Sequence, residues 1–331
     1  MSIVRIFVLY FLISLLLVFL FFLSLEVGTT NVSLFRYLLL PEFRDSVIAN
    51  ILNIRLTQSL SVLISGLALS LSGFILQRVL RNYLVDPGIT GVLSGSALGI
   101  TILNLLSLSL VNFSLLRYSF SFLFGIFVGS ILIIVSLKSK DTLRVVIFGV
   151  ILNSFLSGLI VLVQSISNPY DIHSTFLFLS GSVGYVNWDL LFFDIVLVVL
   201  VLLIVVLFSK KLDIISLGDL DAHVLGVSVK VWRSIFLVFA IILSSISVSL
   251  TGVIGFLGFI VPNIVNLVFY KFSFFDTKHG LILSSLLGGV FLIVCFVFTK
   301  VVVSPYELPL GVITGLIGAP AFALILIKVS K

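Results

Sequence analysis

Charge is the rarest property of this chain. Only 10% of its 331 residues are charged, 60% are hydrophobic and the mean hydropathy is +1.38. Soluble domains carry about 25% charged residues, so a soluble globule is excluded and the chain reads as an integral membrane protein. No segment is polar enough to form a separate soluble domain. The single cysteine, Cys295, rules out a disulfide framework or a thiolate cluster. It lies in an apolar run and reads as a small buried hydrophobe. A Gly-x-x-x-x-Gly-Lys-Ser/Thr loop is missing, so the chain cannot cradle ATP phosphates by itself. There is no His-Glu-x-x-His, and His173, His223 and His279 are all placed in loops. An intramembrane protease or metal hydrolase would need its base or ligands at membrane depth, so an enzyme is excluded. Of thirteen acidic residues only Asp194 falls within a span, near its outer end, where it reads as an interfacial anchor. A proton-coupled carrier would want such a group deep in the bilayer. A sodium site built from carbonyls of a broken helix remains open, because Gly252, Gly255, Gly258 and Pro262 interrupt one apolar run.

What is present is a succession of apolar runs near the roughly 20 residues needed to cross a bilayer. They are predicted at 5–25, 57–78, 88–106, 119–137, 144–165, 190–209, 234–252, 256–270, 281–299 and 308–327. The reading is an all-α polytopic membrane protein of about ten spans, one transmembrane domain over residues 1–331. The first run is too long for a signal-peptide core and is read as a retained span. With the N-terminus inside, fourteen of the nineteen Lys and Arg residues fall in inner loops. Arg36, Arg44, Arg55, Arg117 and Lys300 remain outside, so the positive-inside rule puts both termini in the cytoplasm. The net charge of +6 therefore orients the chain and does not indicate nucleic acid.

Polar and small residues inside the spans are ordered. Gly66, Ser70, Gly73 and Gln77 fall on one face of a helix, and Gly91, Gly95 and Gly99 repeat every four residues on the next. Small-residue stripes let backbones approach closely in a membrane bundle, so helix packing accounts for the glycines. Gln77, Asn153 and Gln164 suit either interhelical hydrogen bonding or the lining of a neutral pathway. The inner loop 210–233 is amphipathic, with Leu217, Leu220, Val224 and Leu225 on one side. Alone, that pattern fits an interfacial helix.

The residues Arg55-Leu56, Gly73, Gln77, Arg81-Asn82, Leu84, Asp86-Pro87, Gly91, Ser94-Gly95 and Gly99 resemble a motif series of the permease family of ABC importers for iron–siderophore, haem and vitamin B12. Later stretches continue the resemblance: Ser180-Gly181-Ser182 before Trp188, Gly252 to Gly258 with Val261-Pro262, and Glu307-Leu308-Pro309-Leu310-Gly311 with Gly318-Ala319-Pro320. The sequence departs at Gln58, Tyr83, Asn263 and Asn266, where the family has Arg, Pro, His and Arg.

The resemblance implies a bundle like the vitamin B12 importer permease and a prokaryotic inner-membrane location. Its implied partners are a second copy forming a homodimer around the conduit, two ATPase subunits and one external binding protein. The chain itself carries no cofactor, since the partner subunits bind ATP. The substrate class implied is a metal chelate: ferric siderophore, haem or corrinoid. Gly66, Ser70, Gly73, Gln77, Asn153 and Gln164 are the expected path residues. The segment 213–228, through Leu217, Gly218, Asp219, Ala222, Leu225, Gly226 and Val227, is the expected ATPase-coupling element. Arg55 and Lys300 are expected to meet acidic residues of the binding protein, the alternative being that both snorkel to headgroups.

Overall fold

The computed structural model describes residues 3–28, 46–106, 113–139, 141–269, 276–303, 306 and 308–329. Among them the chain forms helices and connecting joints, with no strand. In order the helices are α1 (Ile3–Glu26), α2 (Ser46–Val79), α3 (Val92–Leu105), α4 (Phe113–Lys138), α5 (Thr142–Ser165), α6 (Pro169–Leu179) and α7 (Trp188–Leu207). There follow α8 (Ser209–Leu217), α9 (Asp219–Val224), α10 (Val229–Thr251), α11 (Leu257–Phe269), α12 (Thr277–Val301) and α13 (Leu310–Val329). Seven of these are long and apolar enough to cross a membrane, and α3, α11 and α13 are shorter apolar helices, which together make the ten expected spans.

The predicted short eighth span is α11, with Pro262 inside it. The third span is divided: a 3-10 turn at Pro87–Thr90 leads through Gly91, at φ 80°, into α3. Only a residue tolerant of the left-handed region fits that corner. Three expectations are corrected. Residues 46–56, assigned to an outer loop, continue α2 as helix. The segment after α5 is not a plain loop, because Asn168-Pro169 starts α6; proline is pre-organised for a first helical turn. The histidines are helical: His173 lies in α6, His223 in α9 and His279 in the first turn of α12, where Tyr10 pairs with its Nδ1 at 2.9 Å. Arg36, Arg44, Lys140, Lys271, Glu307 and Lys331 lie outside the described residues.

The core is organised around α2. Its most apolar stretch is 83% buried, against 17% for α1 and 22% for α5, so α2 is a central post and α1 and α5 lie at the periphery of the chain. An apolar helix surrounded by protein must satisfy its polar side chains internally. Ser72 Oγ donates to Ala240 O at 2.8 Å and pairs with Ser244 Oγ at 2.7 Å, fastening α2 to α10. Ser70 Oγ donates to Ser284 O at 2.7 Å, fastening α2 to α12. Ser24 Oγ donates to Ser59 Oγ at 2.9 Å, fastening α1. Interhelical hydrogen bonds of this type contribute about 0.6–2 kcal/mol each.

The two ends of the bundle differ. One end carries the joint 80–86, α8, α9 and the starts of α10 and α12. At the other, three irregular joints meet backbone to backbone. Val253 N–H donates to Phe178 O at 3.0 Å, Gly311 N–H to Ser180 O at 3.0 Å and Leu310 N–H to Gly181 O at 2.6 Å. A Cβ at Gly311 would stand 2.6 Å from Ser180 O, so glycine is what lets these joints touch. Their unpaired backbone groups are satisfied by one another.

Candidate functional site

The segment between α7 and α10 is built from an exposed apolar surface on a rigid charged anchor. Leu217 is 63% exposed, Leu220 and Val224 each 85%, and Leu225 56%, while Ala222 and Val227 are buried on the opposite side. Gly218 breaks α8 from α9 at φ 139°, a conformation that excludes an ordinary side chain. Gly226, at φ 72°, closes the end of α9. Asp219, the first residue of α9, is gripped twice. Arg81 from the joint after α2 approaches its Oδ1 at 2.9 Å, and Arg233 of α10, 4% exposed at the side chain, approaches it at 2.7 Å. A carboxylate at a helix start is favoured by the helix dipole. Breaking a pair that includes a buried guanidinium strands that charge. The predicted coupling residues lie together, four of them directed outward or flexing the chain and Asp219 tying the segment to the joint after α2 and to α10. Arg81 and Arg233 were not anticipated as members; the only hint was the place of Arg81-Asn82 in the motif series.

The joint 80–86 on which Arg81 sits is itself anchored. Gln77 Nε2 reaches Val85 O, Gly258 O and Phe259 O, each at 3.4 Å. Asn263 Nδ2 donates to Tyr83 O at 2.9 Å and to Phe259 O at 2.8 Å. Asn263, a departure from the family pattern, thus ties α11 to the joint. Asp86 opens the 3-10 turn by accepting from Gly88 N–H at 2.6 Å. Its Oδ2 is buried without a hydrogen-bond partner among the described residues. Burial pushes this carboxyl up to about 6, against the opposing pull of main-chain N–H groups at Gly88 and Phe259.

The six expected path residues separate into two groups. Gly66, Ser70, Gly73 and Gln77 lie between α2, α11 and α12 inside the bundle. A Cβ at Gly66 would stand 2.6 Å from Gly288 O, and one at Gly73 would collide with Gly258 O. Asn153 and Gln164 are half-buried on α5, Asn153 accepting from Ser94 of α3. Beside them α5 presents an open face with Ser154, Ser157 and Gly158, and a Cβ at Gly158 would meet nothing.

The two outer cations are also placed differently from expectation. Arg55 is 6% exposed and Lys300 3% exposed, so neither side chain snorkels freely into solvent. Arg55 Nη1 donates to Leu25 O at 3.0 Å and Glu26 O at 3.4 Å; Lys300 Nζ donates to Ser24 O at 3.2 Å. Both cations cover the last carbonyls of α1, where intrahelical donors run out and the helix dipole favours positive charge. Lys300 also lies 4.1 Å from the centre of the Phe296 ring. Asp194 is likewise no interfacial anchor: it is fully buried on α7 and accepts from the Tyr118 hydroxyl of α4.

Residues 16–328 match the family model of the FecCD transport family. The chain is 30% identical over 311 residues to the hemin transport system permease HmuU of Yersinia pestis, covering 92% of this chain and 91% of that protein. It is 31% identical to the vitamin B12 import system permease BtuC of Klebsiella pneumoniae, covering 83% and 81%. Among solved structures, an ABC transporter of metal-chelate type in an inward-facing conformation superposes with a TM-score of 0.81 at 28% identity, covering 96% of this chain and 98% of that one. With ten apolar helices in the matching fold, the chain is a multi-pass membrane transport protein and belongs to the FecCD transport family.

Proposed function

We propose that this chain is the membrane-spanning subunit of a binding-protein-dependent ABC importer for a metal chelate, driven by separate ATPase subunits. The observation that carries the reading is the α8–α9 surface, where four large apolar side chains stand exposed on a segment held rigid by Asp219. Covering a Leu or Val contributes about 1.5–3 kcal/mol, so a protein partner that buries this patch gains a stable grip. An ATPase subunit on the cytoplasmic side is that partner, in the orientation given by the positive-inside rule. Motion of α9 then passes through Asp219 to Arg81 and the α2–α3 joint, and through Arg233 to α10. Relatives named for hemin, vitamin B12 and Fe(3+) dicitrate support a chelate as cargo.

In this reading two copies assemble around the conduit, and the open α5 face with Asn153 and Gln164 lines it. Gly66, Ser70, Gly73 and Gln77 hold α2 against α11 and α12 one layer behind. One binding protein docks at the end that carries α6, and Arg55 and Lys300 shape that end by fixing α1 from beneath. The broken segment at Gly252, which left an ion-coupled carrier open, instead serves as a structural joint against Phe178. The test is co-purification of a cognate ATPase subunit. Leu220→Asp with Val224→Asp is expected to abolish it while leaving the detergent-solubilised chain monodisperse; retention of the ATPase subunit by the double variant would refute the docking surface.

A further inference from the structure

At the α6 end of the bundle, away from α8 and α9, a cavity of about 230 Å³ opens between the start of α4, the linker from α6 to α7 and the end of α10. Arg117 is the sole charged residue that lines it among the described residues. Its guanidinium stacks on the Phe178 ring at 5.6 Å and has no hydrogen bond or ion pair among the described residues. Arg117 is half-buried and Ser114 exposed at the mouth, so the cation is partly withdrawn from water without an anion beside it. The hydroxyls of Ser114 and Ser182 and the amide of Asn187 line the same cavity, and none has a hydrogen-bond partner among the described residues. Asn187 stands at the start of α7 without capping it. The extended linker 183–187 makes no main-chain donation to another backbone among the described residues. Tyr118 also lines the cavity, but its proton is committed to Asp194, which does not line it. Uncommitted donors thus surround one cation with no acid facing them among the described residues, and that donor set recognises an oxyanion.

We propose that this cavity binds a phosphate group, held by Arg117 and supported by Ser114, Ser182 and Asn187. Tyr185 and Trp188, 46% and 41% exposed, stand at the linker and the start of α7 as interfacial aromatics do at headgroup depth. The apolar residues Leu115 of α4 and Phe192 of α7 are exposed on the same two helices. The phosphate is therefore carried by a phospholipid headgroup or arrives as free phosphate, and the experiment separates these sources.

The full chain is delipidated in detergent and titrated with short-chain phosphatidylglycerol, with diacylglycerol lacking the phosphate, and with inorganic phosphate. Bound lipid is read by native mass spectrometry and phosphate by thermal shift. Wild type is expected to hold one saturable phosphatidylglycerol per chain and no diacylglycerol. Arg117→Gln weakens this at least tenfold, and Arg117→Lys weakens it less. A thermal shift by inorganic phosphate that also needs Arg117 assigns the site to free phosphate, and its absence assigns it to the headgroup. Equal phospholipid retention by wild type and folded Arg117→Gln, with no phosphate shift, overturns the proposal. If Arg117→Gln does not fold, Ser182→Ala with Asn187→Ala replaces it. The expected loss is then at least threefold, and unchanged binding of both probes is the overturning result.

Discussion

Gly73 and Asp86 show how much single residues control at the α2–α11 contact. Any side chain at Gly73 meets the carbonyl of Gly258, and a Cβ at Gly258 would in turn meet Pro87. Overpacking of this kind costs about 1–3 kcal/mol, so Gly73→Ala should lower the melting temperature in detergent. Gly158→Ala, on the open α5 face, should not. Asp86 makes a prediction with a sign. Its folded-state carboxyl titrates near 6, above the ordinary 3.8, so the native state binds the proton more tightly than the unfolded chain. Stability is full below pH 4 and falls as pH rises through about 6, by on the order of 2–3 kcal/mol. Asp86→Asn keeps an acceptor for Gly88 N–H and removes the charge. It should melt above wild type at pH 7 and match it near pH 4, as followed by thermal unfolding across that range.

At the scale of elements, the stripes on α2 and α3 and the broken run before α11 were legible because each depends on local spacing. The stripe Gly66–Ser70–Gly73 says that some backbone comes close, and the periodicity alone locates the face. Which helix arrives there, α12 or α11, depends on long-range packing that spacing does not encode. The fate of Arg55 and Lys300 was illegible for the same reason. A cation near a span end looks like a surface group until the last carbonyls of α1 are seen to need donors. Asp194 was misplaced because its partner Tyr118 lies on a different helix, 76 positions earlier. The α8–α9 segment was read correctly as amphipathic, but its clamp joins residues from three elements. Asp219→Asn should weaken that clamp and leave Arg233 buried beside a neutral group. In a reconstituted complex, ATP hydrolysis is expected to persist while transport per ATP falls severalfold, measured by parallel hydrolysis and uptake assays. Equal coupling in the variant would show that force enters elsewhere.

For the whole molecule, the arrangement is a central post, α2, with an exposed apolar surface on α8 and α9 at one end and a knot of three backbone joints at the other. Between them run α10 and α12, each bonded to α2 by serine pairs, and in the proposed function a displacement at α9 reaches the other end through these packed helices. On the proposed function, transport is a rocking of this packed body between two states, because packed interfaces are bistable and not continuously deformable. The chain holds no phosphate-cradling loop of its own, and the proposed function assigns the energy source to a partner subunit. The measurement that tests this most directly is uptake of a ferric chelate into proteoliposomes holding the chain with its ATPase subunit, its binding protein supplied outside. Uptake is predicted to require ATP within reach of the ATPase subunit and to vanish with Leu220→Asp and Val224→Asp. Uptake by the chain alone, driven by a sodium or proton gradient and untouched by that double substitution, would contradict the account.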